Sequence, residues 1–446
     1  MRIFEILAII LLLLLLLVKL LGKHNNIKKV LNIGLLGILI LHVSMEGMRW
    51  QMSPIYLLSV VQLALFYAKI KVRKKWIKIT GGGISFIFIL IGLTLSYMIP
   101  VFDLPKISGK HLVGTKIQSF TANKKELGVV NIKAWYPIDR IRQQKDIYSK
   151  KPTKSLDGVM GMPGILFNHL KLVKTGAYEV QEDLATEQKL PLVIYAHGAA
   201  STNIDNTALL QEIASHGYIV VAIDFGFSFD RYGLSLAQAS TLTLQAQKDF
   251  HAQLMDKVVP IQTEYISFVI EELKKEQSDF AKSIDFEQVI LLGHSLGGTT
   301  CSSVKEEQVK PSMIINIDGP MPSTSEINIP FLYISSYSPD LSDDELTEKG
   351  LPNVKFYRDV KRFELENVSI FFKNESPNRY WVRFNNAGHI DFTDIPFMVP
   401  KMATKGYEKE KGHQLKSEVI LNFMNHYINK DEVFRKLKDQ TLEWIE

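Results

Sequence analysis

A serine with glycine two positions before it and two positions after it occurs in the run Gly293–Gly298 (GHSLGG). The run directly follows the apolar residues Gln288–Gly293 (QVILLG) and precedes a helix-like segment. Small residues at these two positions let the backbone approach closely enough to hold a serine exposed at the tip of a tight strand-to-helix turn. Ser295 is therefore predicted to be a nucleophile for acyl transfer.

A serine nucleophile needs a histidine base, and the chain order for this kind of turn is serine, acid, histidine. Three histidines follow Ser295, namely His389, His413 and His426. His389 comes directly after a strand-like run, where a loop can reach back over the sheet edge. The other two lie in or beside an amphipathic terminal helix and are expected at the surface, so His389 is the predicted base.

Two aspartates are candidates for the acid that orients this histidine. Asp318 ends the apolar run Met313–Ile317, and Asp340 follows the next apolar run, Phe331–Ser336. An aspartate at a strand end can equally cap a turn or a helix. The residues by themselves therefore leave both assignments open.

The run His197-Gly198-Ala199-Ala200 follows the apolar residues Leu190–Ala196. In this arrangement the loop donates one backbone N–H to the developing oxyanion, and the residue after the nucleophile donates the second. Ala199 and Leu296 are the predicted donors. His197 is expected to brace the loop rather than to act as a base.

Short apolar runs alternate with helical segments after residue 102. Asn206–His216 has a helical pattern that ends at Gly217, and Ser235–Lys274 is a long helical stretch expected to include a cap over the site. Strands alternating with helices predict a doubly wound, mostly parallel α/β sheet, which with the serine turn indicates an α/β-hydrolase fold over residues 103–446. The runs with a strand pattern are Val129–Tyr136, Leu190–Ala196, Ile219–Asp224, Gln288–Gly293, Met313–Ile317, Phe331–Ser336 and Tyr380–Asn385.

Residues 1–102 have the composition of a multi-pass transmembrane region. Four apolar runs, which predict about four helices, are Ile3–Leu21, Val30–Met45, Pro54–Ala68 and Gly81–Val101. The first hundred residues hold 12 of the 52 Lys and Arg residues and two of the 47 Asp and Glu residues. The formal net charge of +5 therefore comes from this region, and the larger part offers no basic surface for nucleic acid.

The positive charges lie in the first and third loops between the apolar runs, which places those loops in the cytoplasm. Four crossings then put residues 103–446 on the outer side of a cell membrane, and a bacterial surface suits a chain that has Cys301 as its single cysteine. Cys301 itself is expected to be a buried helix residue. No metal or organic cofactor is expected, because clustered ligand spacings, EF-hand and P-loop patterns do not occur.

At these residues the chain resembles the platelet-activating factor acetylhydrolase family, the plasma and intracellular isoform II phospholipases. The matching segments are Val113–Thr115, Ala134–Pro137, Pro191–Gly198, Ala214–Val220, Gly293–Gly298, Ile315–Asp318, and Gly388-His389 with Asp391, Phe392 and Asp394. The family takes its acid from the strand right after the nucleophile helix, so the resemblance favours Asp318 over Asp340. It implies Ser295, Asp318 and His389 as a triad, with oxyanion donors at Ala199 and Leu296.

The chain departs from the family pattern in three places. It has Leu296 where the family usually has Phe, its segment between Asp318 and His389 is longer and rich in charge (Ser342–Phe371), and it carries the membrane region. The resemblance implies a serine esterase that hydrolyses acyl esters of phospholipids or other lipids, and the membrane region predicts that this esterase is anchored at the bilayer that holds such lipids. A general carboxylesterase that prefers small esters, or an acyltransferase with the same triad, remains an alternative.

Overall fold

The computed structural model divides the chain into a bundle of apolar helices (residues 3–98) and an α/β part built on one sheet (residues 112–445). The described residues are 1–21, 25–70, 74–124, 126–141, 144–150, 163–180, 184, 188–226, 230–235, 241–322, 327–350, 353–373, 376–429 and 434–445.

The bundle consists of α1 (Ile3–Leu21), α2 (Asn25–Leu41), α3 (Ser53–Tyr67) and α4 (Lys75–Met98). A small apolar core, which includes Ala8, Leu12, Leu35, Ile55 and Ile89, lies between the helices. Many of the remaining Leu, Ile and Val side chains point outward and are exposed. Such a surface is costly in water and is typical of helices that contact lipid.

Three of these helices are long and apolar enough to cross a membrane. They are α1 with 19 residues, α2 with its following π-helical turn (Asn25–Glu46, 22 residues), and α4 with 24 residues. α3 has 15 residues, which at 1.5 Å per residue reach about 22 Å, less than the ~30 Å of a hydrocarbon core. The structure thus supports three of the four predicted spans by length, and the orientation stays a prediction.

The α/β part is organised on an 11-stranded sheet with the order β11-β10-β9-β8-β7-β5-β6-β2-β1-β4-β3. The neighbouring strands from β6 to β10 all run parallel, whereas β2 and β11 pair antiparallel with the parallel block. The strands are β1 (Leu112–Thr121), β2 (Val129–Ile138), β3 (Lys145–Ile147), β4 (Lys174–Glu179), β5 (Leu190–Ala196), β6 (Ile219–Asp224), β7 (Ile284–His294), β8 (Met313–Ile317), β9 (Phe331–Ser335), β10 (Arg379–Phe384) and β11 (Leu442–Ile445).

The central strands are apolar throughout because helices cover both faces of the sheet. Along β5, Leu192 and Ile194 face one core layer, and Val193 and Tyr195 face the other. All four side chains are fully buried. Each apolar side chain removed from water on folding contributes about 1.5–3 kcal/mol, so this double-sided burial fixes the position of the loops that follow the strands.

The helices of the α/β part connect these strands and cover their faces. They are α5 (Thr207–Ser215), α6 (Leu244–Gln253), α7 (Val259–Lys275), α8 (Asp279–Lys282), α9 (Leu296–Ser303), α10 (Glu306–Val309), α11 (Asp343–Glu348), α12 (Val354–Lys373), α13 (Ile395–Met398) and α14 (Lys409–Asn429). α5 agrees with the predicted helix, and Gly217 beyond its end has a φ angle of +101°, which suits glycine.

The long helical stretch predicted for Ser235–Lys274 is interrupted. α6 begins at Leu244, a π-helical turn follows over Leu254–Val258, and α7 starts with Pro260 in its first turn, where a missing N–H costs no hydrogen bond. The π-helical turn and Val259 at the start of α7 pack with α6 and Leu296 beside the serine turn, whereas the rest of α7 covers the sheet and contacts α9. The beginning of the predicted stretch, residues 236–240, lies outside the described residues.

The two parts of the chain contact each other through Gly164–Leu172, a run of 3₁₀ turns. Trp50 Nε1 donates a hydrogen bond of 2.7 Å to the carbonyl oxygen of Leu166. Gly47 packs so closely on Leu172 that a Cβ atom at position 47 would lie 2.8 Å from Leu172 Cδ2. The helical bundle therefore packs against the α/β part.

Candidate active site

Ser295 occupies the turn between β7 and α9 in a conformation that side chains rarely adopt, with φ +56° and ψ −127°. The turn is so tight that glycines are required around it. A Cβ atom at Gly293 would lie 2.2 Å from the carbonyl oxygen of Gly297, and one at Gly297 would lie 2.0 Å from that of Ala196. The glycine pattern in the sequence thus has a steric cause, and the strained turn presents the hydroxyl group at the sheet edge.

The structure brings Ser295, His389 and Asp318 into one hydrogen-bonded chain. His389 Nε2 lies 2.9 Å from Ser295 Oγ, and His389 Nδ1 lies 2.8 Å from Asp318 Oδ2. The imidazole side chain is 45% exposed, whereas the Asp318 side chain is fully buried. This order of groups, with one ring nitrogen on a hydroxyl and the other on a carboxylate, is the geometry that lets a histidine remove the serine proton.

Asp318 is held by donors on both of its oxygens. Ser336 donates its N–H to Oδ1 at 2.9 Å and its hydroxyl group to Oδ2 at 2.9 Å, and Lys361 Nζ lies 2.6 Å from Oδ1. Burial by itself raises the pKa of this carboxyl group, but the charge of Lys361 and the hydrogen bond to His389 hold the pKa well below its ordinary value. The buried aspartate therefore stays ionised.

Asp340, the other aspartate that the sequence left open, lies elsewhere. Its side chain is 78% exposed and faces Arg362 at 3.6 Å. Asp318 is the aspartate that the structure places on His389 Nδ1. The two histidines that were set aside, His413 and His426, both lie in α14; His413 is buried there, whereas a surface position was expected.

The two predicted oxyanion donors flank the serine. Leu296 is the first residue of α9, where a backbone N–H has no partner within the helix. Ala199 follows Gly198, and a Cβ atom at Gly198 would lie 3.1 Å from Ser295 Cβ, so this loop packs directly on the serine turn. Ala200 beside it has a φ angle of +50°. The loop thus places a strained backbone next to Ser295.

Two buried histidines support this arrangement. His294 Nε2 donates to the carbonyl oxygen of His389 at 3.1 Å, and the two rings are tilted by 34° with centroids 4.8 Å apart. Burial lowers the pKa of His294 to about 3, so the ring is neutral at pH 7. His197 lies 2.8 Å from the oxygen of Gly198 and accepts from the N–H of Phe225, which ties the oxyanion loop to the end of β6.

Sequence reasoning missed three residues that contact the hydrogen-bonded triad, namely Ser336, Lys361 and His294. Ser336 follows a strand end, but a serine there carries no distinctive signal. Lys361 is one of many charged residues in α12, and its burial depends on how that helix packs. His294 lies inside the GHSLGG run, so its position next to the nucleophile was the one available clue.

An apolar cluster adjoins the serine on the side of α6. Buried Leu296 packs there with residues of the interrupted helical stretch, and Ala199 and Ala200 lie at its border. Its buried members are Tyr232, Leu234, Phe250, Leu254, Val258, Val259 and Leu296. The surroundings of Leu296 and Ala199 on this side are therefore apolar.

Within the described ranges, one group of side chains has the spacing of metal ligands, and it lies in the helical bundle. Glu5, His42 and Glu46 bring their ligand atoms within 4.8 Å of one another. Both oxygens of Glu5 already accept from Arg49 at 2.7 Å, and His42 Nδ1 lies 2.9 Å from Glu46. The guanidinium group of Arg49 occupies the place of a cation, so this cluster is a structural ion pair network.

Comparisons with known proteins identify the family and the fold. Residues 98–228 and 254–440 match the family model described as platelet-activating factor acetylhydrolase, isoform II. The α/β part also resembles the solved structure of a ferulic acid esterase from Streptomyces cinnamoneus, with a TM-score of 0.59 and 19% identity. That match covers 78% of this chain and 100% of the esterase chain, and it supports the α/β-hydrolase fold.

Curated relatives point to the same family. The chain is 22% identical over 295 residues to a platelet-activating factor acetylhydrolase from Canis lupus familiaris, a match that covers 59% of this chain and 62% of the relative. It is 22% identical over 377 residues to the corresponding protein from Cavia porcellus, covering 74% and 79%. The chain thus spans about three-fifths of the length of the canine relative. The family match covers more than half of the chain, and the chain belongs to the platelet-activating factor acetylhydrolase, isoform II, family.

Proposed function

We propose that this protein is a serine esterase that hydrolyses carboxylic acyl esters. The observation that carries the proposal is the continuous chain from Ser295 Oγ through His389 to buried Asp318, with contacts of 2.9 and 2.8 Å. Membership of an acetylhydrolase family supports it. The serine turn, with its positive φ angle and its obligatory glycines, supports the nucleophile assignment independently.

The proposed reaction proceeds in two halves. Ser295 Oγ attacks the ester carbonyl carbon while His389 Nε2 takes the hydroxyl proton, and Asp318 keeps the imidazole oriented and stabilises its positive charge. The tetrahedral oxyanion accepts hydrogen bonds from the N–H groups of Ala199 and Leu296. The alcohol leaves with the proton from His389, and water, activated by the same histidine, then releases the acid from the serine.

The proposed substrates are acyl esters of lipids, of the kind that a phospholipase A2 or a platelet-activating factor acetylhydrolase cleaves. The names of the relatives, the apolar cluster beside Leu296 and Ala199, and the apolar helices of residues 3–98 all support this class. Anchoring the site at a bilayer would raise the local concentration of such substrates.

The proposed location is a cell membrane, which the chain crosses several times, with residues 103–446 on the extracellular side. Three helices of sufficient length and the contacts through Gly164–Leu172 support a membrane-bound catalytic part. The positive charges of the first and third loops support the direction.

The test is hydrolysis of phosphatidylcholines with sn-2 chains from acetyl to palmitoyl by the purified full chain, with the Ser295→Ala variant as the blank. Release of the sn-2 acid that the variant abolishes is the expected result. Rapid cleavage of p-nitrophenyl esters with no release from any phosphatidylcholine would overturn the lipid assignment and keep the esterase. Absence of both activities in a folded protein would overturn the esterase itself.

A further inference from the structure

We propose that Lys361 is a positioning residue for the acid of the triad, because its ammonium group fixes Asp318 with Oδ2 toward His389. The inference rests on the proposed triad and adds a residue from α12. All but the last two residues of that helix lie within the charged segment Ser342–Phe371, where this chain departs from the family pattern.

The hydrogen bonds of Asp318 are divided between its two oxygens. Lys361 Nζ at 2.6 Å and the N–H of Ser336 at 2.9 Å occupy Oδ1. The hydroxyl group of Ser336 at 2.9 Å and His389 Nδ1 at 2.8 Å occupy Oδ2. The shortest of these contacts, from Lys361, is to Oδ1, the oxygen that does not face His389. Rotation of the carboxylate group would break this contact.

Lys361 is an unusual lysine because it is 6% exposed. Burying an ammonium group costs free energy unless an opposite charge is bound to it. Glu364 on the same helix is a weaker partner, with a distance of 3.7 Å from Nζ, and His251 of α6 faces Glu364 at 3.8 Å. The burial is therefore compensated mainly at Asp318, so that α12 is held against the end of β8.

The charge of Lys361 has a consequence for catalysis beyond geometry. The groups that face this pair are Glu364 from α12, His251 from α6, Tyr333 and Tyr337 from β9 and the residues after it, and His389. A positive charge beside Asp318 opposes the binding of a further proton by the Asp318–His389 pair. Without that charge the pair takes up a proton more readily, and activity is lost at a higher pH.

The test compares charged and uncharged side chains at position 361 in the full chain. Lys361→Gln and Lys361→Met remove the charge, and Lys361→Arg keeps it. The matched control is Lys133→Gln, because Lys133 forms an equally short and buried pair of 2.6 Å with Asp146, and β2 lies three strands away from β7. Hydrolysis of p-nitrophenyl acetate is measured from pH 5 to 9, and thermal unfolding is measured for each variant.

The uncharged variants are expected to lower kcat about tenfold with little change in KM, because a charged hydrogen bond to the acid is lost. The acidic limb of their kcat/KM profile is expected to move up by about one pH unit. For Lys361→Arg, the acidic limb of the kcat/KM profile is expected at the same pH as in the wild-type protein. Lys133→Gln is expected to change the melting temperature alone.

Several results would overturn the proposal. They are an unshifted acidic limb in both uncharged variants, an equal shift in Lys361→Arg, or failure of both uncharged variants to fold, which would make the pair structural. Ser295→Ala separates this failure from that of the proposed function. If Ser295→Ala keeps activity, the triad is wrong; if it is inactive while Lys361→Gln has the profile of the wild-type protein, only the role of Lys361 is wrong.

Discussion

Strained backbone is concentrated around the proposed nucleophile. Among the described residues, five that are not glycine have positive φ angles, and Ala200, Ser295 and Asp318 are three of them. Such conformations cost about 1–3 kcal/mol each and persist where the surroundings enforce them. The N–H of Ser295 donates to Ile317 at 2.8 Å, and that of Asp318 donates to Ile334 at 2.7 Å. Backbone hydrogen bonds to neighbouring strands therefore hold both residues in place.

Asp318 and Asp340 can be compared directly as candidates for the acid of the triad. We expect Asp318→Asn to lower kcat by about 10⁴, because an amide neither stabilises the histidine cation nor selects the correct tautomer. Asp340→Asn removes the same charge from an exposed side chain and is expected to keep kcat within a factor of two or so of the wild-type value. Steady-state hydrolysis of p-nitrophenyl acetate checks both. Loss of activity in Asp340→Asn with retention in Asp318→Asn would show that the acid is assigned wrongly.

Elements whose cause is local could be predicted from the sequence. β5, β6 and β8 have the predicted bounds because an unbroken apolar run can only be buried between two layers of helices. Ser295 and the loop that begins at His197 could be proposed as site residues because each directly follows such a run, and His389 could be proposed because it comes soon after the strand-like run Tyr380–Asn385.

Elements that depend on distant packing could not be predicted. β11 is a short edge strand whose pairing with β10 is visible only in the fold. The π-helical turn before α7 and the burial of Lys361 against Asp318 depend on how α6 and α12 meet the sheet. The residues themselves left the acid ambiguous because an aspartate follows each of two strands; the resemblance favoured Asp318, and the tertiary arrangement separates the two.

A buried histidine in α14 makes this element sensitive to acid. Burial, with a contribution from the charge of Lys416, lowers the pKa of His413 to about 3, and Glu212 opposes the shift. In the unfolded chain the imidazole takes up a proton as the pH falls below its ordinary value of 6.5, whereas in the folded protein it stays neutral. Stability is therefore lost progressively as the pH falls from about 6.5 toward 3, by up to about 1.4 kcal/mol per pH unit.

We expect His413→Leu to lose less stability than the wild-type protein between pH 6.5 and 4.5, because the leucine variant has no proton to bind. Thermal unfolding at several pH values in this range is the measurement. Ser417→Ala is the control, since Ser417 Oγ contacts His413 Nε2 at 3.5 Å and its removal leaves the titrating group. Equal pH dependence of His413→Leu and the wild-type protein would contradict the assignment.

On the scale of the whole molecule, a bundle of apolar helices is joined to a hydrolase fold. In the proposed membrane location, the number of helices that cross the bilayer decides on which side the α/β part lies. Four crossings place the α/β part outside the cell, which is the direction that the loop charges favour. Three crossings, with the short α3 lying in the membrane interface, would place the α/β part in the cytoplasm. Trp50 and Gly47, which contact the α/β part, lie in the segment between α2 and α3.

A single surface cysteine can test the orientation, because the natural Cys301 is buried and burial raises the pKa of its thiol well above the ordinary value. Lys275 is 68% exposed at the end of α7, so Lys275→Cys introduces an accessible thiol. We expect a membrane-impermeant maleimide to label this variant in intact cells and to leave the wild-type protein unlabelled. Labelling only after the cells are opened would place the α/β part inside.

The central claim is that Ser295 is an activated nucleophile, and covalent labelling tests it most directly. The full chain is treated with a fluorophosphonate, and the adduct is located by peptide mass spectrometry while residual ester hydrolysis is followed. The account predicts one adduct, on Ser295, formed in parallel with the loss of hydrolysis and absent from Ser295→Ala. Hydrolysis that persists in Ser295→Ala, or inactivation through an adduct on another residue, would contradict it.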